Sequence, residues 1–185
     1  MTPNDIRIDA QVMSGMKIDN NTNLIWIKDA IIDIATKHPF IMPREVEEVK
    51  TDKEYTSFAL AYEPVLMDKV LRNKPSRCYD SRWEMDGKQK ILLYAKGDYT
   101  IIYHRLPDLP ETADSEIDLP TPFLSALKFY SAARLRARIA GQDDNSAVSF
   151  MNEYTSALRT AVASSQRLTK RHRRMPPFPG KGGYI

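Results

Sequence analysis

The chain has 185 residues, 27 of them Lys or Arg and 24 Asp or Glu, for a formal charge of +3. That length suits one domain, or one domain with arms, and suffices to bury a core without disulfide or metal staples. Residues 166–185 hold six basic and no acidic side chains, so the other 165 carry +3 less +6, or −3. An acidic body with a basic tail is the pattern of an arm reaching for a partner. A single cysteine, Cys78, excludes an internal disulfide framework and a multi-cysteine zinc site. At 42% hydrophobic the chain is too apolar to be disordered throughout. No run of about 18 apolar residues offers a membrane span. Met1–Asp5 lacks the basic-then-apolar order of a signal peptide, so a soluble, intracellular chain is expected.

In chain order, residues 4–16 predict a first helix with Ile6, Val12, Met13 and Met16 as its apolar positions, weakened by Gly15. Residues 22–37 predict a second. Asn21, Thr22 and Asn23 offer N-caps, Leu24, Ile27, Ile31 and Ile34 recur at helical spacing, and Trp26 and Ala30 widen the stripe. Pro39 stops it, because the residue before proline avoids the helical region. Together the two predict a helical hairpin burying one apolar face.

From about residue 45 the period shortens toward two. Runs Tyr55–Leu60, Pro64–Arg72, Arg82–Met85, Lys88–Tyr94 and Tyr99–Leu106 read as strands. Asp86-Gly87 between two of them is a hairpin signal, and Lys96-Gly97-Asp98 reads as the next turn of a meander. Residues 45–106 are therefore expected to form antiparallel strands in a small sheet or sandwich. Residues 107–120 form a Pro- and acid-rich linker. Thr121-Pro122 opens a helix over 122–140, with Phe123, Leu127, Tyr130 and Ala133 on one face and Gly141 as its stop. Asp143, Asp144 and Asn145 cap a last helix of about 20 residues with Ala147, Met151, Tyr154, Leu158 and Ala161 in its apolar stripe.

The expected architecture is α+β. A helical bundle draws two N-terminal helices from 1–44 and two long C-terminal helices from 107–165. An antiparallel β-domain, 45–106, is inserted, and a basic arm, 166–185, extends from the end. The arm holds Arg167, Lys170, Arg171, His172, Arg173 and Arg174, then Met175-Pro176-Pro177-Phe178-Pro179, and ends in Tyr184-Ile185. This mixture suits docking as an extended peptide on an acidic protein surface. Binding of the basic run to nucleic-acid backbone is the alternative reading.

Catalysis needs a converging set of reactive groups. His38, His104 and His172 show no metal-pair spacing. A Cys78–His104 couple would have to meet in space. Asp114, Glu116 and Asp118 alternate but lack the glycine and terminal glutamate of a calcium loop. Gly180-Lys181-Gly182-Gly183 lacks the spacing of a phosphate loop. No enzyme, metal or cofactor is expected. Arg134, Arg136 and Arg138 stand at steps of two on a helix, so 134 and 138 share a face and 136 opposes them. They are candidates for contact with a neighbouring subunit or with a phosphate-bearing channel, or for solubilising charge near a helix C-terminus.

The order of motifs resembles a known family. It runs Trp83, Asp86-Gly87-Lys88, Ile91-Leu92-Leu93, Tyr99-Thr100-Ile101-Ile102-Tyr103, Leu106-Pro107, Ser115–Pro120 into Phe123, Ala132-Ala133-Arg134-Leu135, then Asp143–Ala147 and Tyr154. Over roughly residues 20–165 this is similar to the head–tail connector, or adaptor, proteins of tailed bacteriophages, in particular podovirus adaptors of the tail-tubular type. The resemblance implies a structural virion protein made in the host cytoplasm and placed at the head–tail interface. It implies a homo-oligomeric, dodecameric ring between portal protein and tail nozzle or tube, through which double-stranded DNA passes. It also implies a portal-docking role for the arm, with Arg167, Lys170, Arg171, Arg173, Arg174, Phe178, Tyr184 and Ile185 as its contacts.

Overall fold

The first helix, α1 (Pro3–Ser14), begins where Thr2 and Asp5 close a capping box. Asp5 N donates to Thr2 Oγ1 at 3.2 Å, and Thr2 N donates to Asp5 Oδ2 at 2.8 Å. The Thr2 bonds hold the Asp5 carboxyl below its ordinary value. Gly15 takes φ +68° and ends the helix as a left-handed cap rather than weakening its interior. Pro3, Ile6, Ala10 and Ser14 face inward, whereas Val12 is 79% exposed. These observations come from a computed structural model. It describes residues 1–74, 77–80, 82–142 and 144–172, with side chains for 1–73, 82–142 and 144–165.

Helix α2 (Asn20–Lys37) is capped by Asp19, upstream of the predicted caps, whose carboxylate accepts from Thr22 N at 2.8 Å. That bond frees Asn23 to turn inward and donate Nδ2 to Pro3 O at 2.9 Å, tying α2 to the start of α1. Trp26, Ile27, Ala30, Ile31 and Ile34 are buried. A 3-10 turn, Pro39–Ile41, leads into the strands.

All seven described strands lie between Arg44 and Arg105: β1 (Arg44–Thr51), β2 (Thr56–Ala59), β3 (Pro64–Lys74), β4 (Arg77–Asp80), β5 (Trp83–Met85), β6 (Lys90–Leu93) and β7 (Gly97–Arg105). They form two antiparallel sheets, ordered β1-β7-β3-β4 and β2-β6-β5. The Asp86-Gly87 hairpin is present: Met85 opposes Ile91, and Asp86 N donates to Lys90 O at 2.8 Å. The meander is not. At Lys96-Gly97 the chain leaves the β2-β6-β5 sheet, and β7 enters the other sheet between β1 and β3. The inner faces meet through Val49, Val70, Tyr99, Ile101 and Tyr103 on one side and Phe58, Ile91, Leu93 and Trp83 on the other. The arrangement is thus a small sandwich.

Helix α3 (Thr121–Ala140) starts from Pro120 with no side-chain cap, so Thr121 lies inside the helix rather than capping it. Phe123, Leu127, Ala133 and Leu135 are buried and Tyr130 is half-buried. Gly141, at φ +96°, closes it. Helix α4 (Asn145–His172) is opened by Asp144 Oδ2, which accepts from Ala147 N at 3.1 Å. Asp143, also named as a cap, lies outside the described residues. Ala147, Tyr154, Leu158 and Ala161 are buried, whereas Met151 is 37% exposed. The helix runs beyond 165, so residues 166–172 are helical backbone where an extended arm is predicted to begin. Gln166, Arg167, Leu168, Lys170 and Arg171 are good helix formers, and no Pro or Gly interrupts them before Pro176. Basic residues also suit the C-terminal end of the helix dipole.

One core joins Ile6 of α1, Ile27, Ile31 and Ile34 of α2, Phe123 and Leu127 of α3, and Tyr154, Leu158 and Ala161 of α4, roofed by Ile117 and Leu119 of the linker. Each such large side chain contributes on the order of 2 kcal/mol by leaving water. The sandwich is joined to it through Val65 and Leu106, which pack on the helical core. His104, buried on β7, donates Nδ1–H to Met42 O at 2.9 Å at the same junction. Among the described residues no helix is long and apolar enough to cross a membrane.

Candidate functional site

Three surfaces and one half-buried polar hub hold the chemistry of the described residues. The first surface is a groove of about 330 Å³ where α2 crosses α3, lined by Thr22, Trp26, Arg134, Ala137, Arg138 and Gln142. The Arg134 guanidinium lies 6.0 Å from the centre of the Trp26 ring and 5.9 Å from that of Tyr130. The faces of the two rings attract and orient it. Arg138 Nη1 reaches Thr22 Oγ1 at 3.5 Å. Asp19, whose carboxyl is lowered first by the Thr22 backbone N–H, also feels the Arg138 charge.

Arg136 does not join them. Its Nη2 donates to Ser146 Oγ at 3.1 Å, and its Nε lies 3.8 Å from Asp144 Oδ2. The helical phase expected for the three arginines therefore holds, but Arg136 is spent on the α3–α4 turn.

The second surface is apolar. Ile8 and Val12 on α1, and Ile25 and Ile32 on α2, project away from the core. Near the α3–α4 turn, Ile139, Val148 and Met151 do the same. The third is the basic end of α4. Arg167, Lys170 and Arg171 stand on its helical backbone. Arg173, Arg174, Phe178, Tyr184 and Ile185 of the predicted arm lie outside the described residues.

The hub is Arg105, which sequence reasoning missed. Its side chain is 13% exposed and pairs through Nε with Glu45 at 3.1 Å, Nη1 with Asp108 at 3.3 Å and Nη2 with Asp118 at 2.8 Å. The guanidinium also sits 4.8 Å from the centre of the Tyr62 ring. Burial acts to lower its pKa, but the carboxylates of Asp118, Asp108 and Glu45 reverse that and hold the cation more firmly. One residue thus ties β1 and β7 to both ends of the linker. A signal was present in the sequence: an Arg ending a strand, followed by an acidic linker.

Beside the hub, Glu47 accepts from the Tyr103 hydroxyl and, at 2.9 Å, from Ala61 N. Burial, followed by the Glu47 contact, pushes the Tyr103 phenol well above its ordinary range. Tyr154, on α4, is raised for a similar reason: burial, then the Asp33 carboxylate, whose Oδ2 accepts its hydroxyl at 3.3 Å.

The chemical candidates separate. Asn73 opposes both Cys78 on β4 and Asp98 on β7, whereas His104 is six residues further along β7. The cysteine backbone is thus about 20 Å from His104 along the strands, and His104 already bonds Met42 O. The Cys78–His104 couple is overturned. Asp118 is held by Arg105 and also accepts from Asp108 N, so the acidic linker does not converge on a cation. Among the described residues no group of three or more metal-ligating side chains comes together.

No protein-family model matches this chain, and no curated protein matches it.

Proposed function

We propose that the chain is a structural subunit of a head-to-tail adaptor ring. Identical copies close side by side, join a portal to a tail nozzle and surround a channel for double-stranded DNA. The observation that carries this reading is the exposure of large apolar side chains on every helix: Ile8 and Val12 on α1, Ile25 and Ile32 on α2, Ile139 on α3, and Val148 and Met151 on α4. A closed ring needs two unlike patches per subunit, one for each neighbour. Large apolar side chains facing water on four separate helices supply material for such patches. The mixed α+β architecture with a sandwich set between helices agrees with the architecture implied by the family resemblance. In this reading the segment after α4 docks on the portal.

Negative-stain micrographs and native mass spectra of the protein, alone and with purified portal rings, test the proposal. Closed rings that cap the portal are expected. A chain that stays monomeric and never binds portal refutes it. Removal of residues 173–185 is expected to leave the fold intact and abolish portal capture; unchanged capture would remove the docking role from that segment.

A second reading, a nucleic-acid-binding module, is favoured by the extension of α4, which gathers Arg167, Lys170 and Arg171 within about two helical turns. It expects duplex binding by the single subunit, with affinity falling steeply as salt rises. Absence of duplex binding at low salt eliminates it.

A further inference from the structure

The linker and the α2–α3 groove hold charges of opposite sign that do not meet within one chain. The linker carries five acids. Asp108 and Asp118 are consumed by Arg105. Glu111, Asp114 and Glu116 remain exposed, and their carboxylates form no ion pair among the described residues. The segment that bears them is pinned. Asn4 N donates to Ala113 O at 2.8 Å, Ile117 N to Met1 O at 3.2 Å, and Thr112 N to Ser115 Oγ at 3.1 Å. A fixed acidic edge loses less entropy on docking than a loose one.

The groove is its complement. Arg134 and Arg138 stand one helical turn apart, about 6 Å between Cβ atoms. Neither has a carboxylate within ion-pair distance among the described residues, whereas Arg136, on the opposite face, has Asp144. Trp26 and Tyr130 orient Arg134, and Thr22 steadies Arg138. An arginine held against aromatic rings with its donors free is arranged for carboxylates.

We infer that Arg134 and Arg138 of one copy receive the acidic edge Glu111–Asp114–Glu116 of a second copy, forming the polar half of the contact that closes the ring. This inference rests on the ring reading and names one of its interfaces. Like charges set opposite one another across an interface cost far more than a lost pair. The double variant Arg134→Glu with Arg138→Glu is therefore expected to weaken self-association at least about tenfold, as is the triple variant Glu111→Lys, Asp114→Lys, Glu116→Lys. In an equimolar mixture both alternating contacts, the Glu-bearing groove on the Lys-bearing edge and the Arg groove on the acidic edge, are oppositely charged. The mixture is expected to form assemblies of alternating variants that neither variant forms alone, read by native mass spectrometry and sedimentation of the full chain. Circular dichroism confirms that each variant folds.

Variants that ring as the parent chain does, or a mixture that regains no self-association, overturn the inference and leave the ring standing. A parent chain that never self-associates overturns both. Loss of duplex or portal binding with self-association unchanged assigns the groove to that other partner and overturns the contact proposed here.

Discussion

Arg105→Ala is the most informative single change in the fold. The side chain is 13% exposed and fits three carboxylates around one guanidinium, with Glu45 at 33% exposure, Asp118 at 37% and Asp108 at 72%. The pairs to Glu45 and Asp118 are half-shielded and hydrogen-bonded, and each contributes about 1.2 kcal/mol net. Asp108 is screened by water and adds little. The Tyr62 contact adds about 0.5 kcal/mol. The total is about 3 kcal/mol, which for a chain of this size lowers Tm by about 6–12 °C. Removing the cation also leaves three carboxylates facing one another, so the loss should exceed that of any single carboxylate variant. Thermal and urea unfolding followed by circular dichroism measure it. Arg105→Lys keeps the charge but not the planar fork, and about half of the loss should remain. A change below about 1 kcal/mol for the alanine variant would make Arg105 an ordinary surface pair. Full rescue by lysine would show that the fork geometry is irrelevant.

Other outcomes follow from the same packing. Phe123→Ala empties the centre of the helical core and should cost about 3–5 kcal/mol in urea unfolding. Gly97→Ala forces a side chain onto φ +149° and sets its Cβ 2.8 Å from Arg72 Nε, so a loss of about 1–2 kcal/mol is expected where the chain passes between sheets. Tyr154 ionises near 10 when unfolded and well above that when folded. Its contribution is therefore whole below pH 10 and declines above it, by up to about 1.4 kcal/mol per pH unit. Tyr154→Phe should flatten the alkaline slope of stability by that share. Asp5 and Asp19 have lowered carboxyl pKa values, so their capping contribution is present above the unfolded value of 3.8 and is lost as pH falls through the folded ones. Asp19→Ala should lower Tm at pH 7 and blunt the acid-induced loss of helix, both read by circular dichroism.

Helix α4 was legible because one period governs it: Tyr154, Leu158 and Ala161 repeat on a face that meets the helical core, and Ala147, also in phase, is buried, although Met151 of the same stripe is exposed. The strands were legible as strands, since Asp86-Gly87 and the alternation of Tyr99, Ile101 and Tyr103 are local signals. Their order was not. Pairing of β7 with β1, from Gly97 opposite Thr51 to His104 opposite Arg44, depends on contacts some fifty residues apart, and no local pattern encodes them. Strand β1 even misleads by composition. Val46 faces water while Glu45 and Glu47 turn inward, because Arg105 and the Tyr103 hydroxyl wait there for carboxylates. The N-termini of α1 and α2 were misplaced for a smaller reason. Asp5 and Asp19 cap by side-chain geometry, and the apolar period alone does not register a cap.

The same limit explains why the charged surface had to be seen rather than read. Composition distinguishes an acidic linker from a basic stretch of α3, but not which of their charges are already spent. The β7 register places Arg105 between β1 and the linker, and that placement consumes Asp108 and Asp118. The α3–α4 turn places Arg136 over Asp144. What remains is the difference: three acids on one edge and two arginines in one groove. The proposed ring contact is thus what the fold's own ion pairing leaves over. Arg105→Ala, by releasing Asp108 and Asp118, should also alter how subunits associate, although Arg105 is neither in the groove nor on the acidic edge.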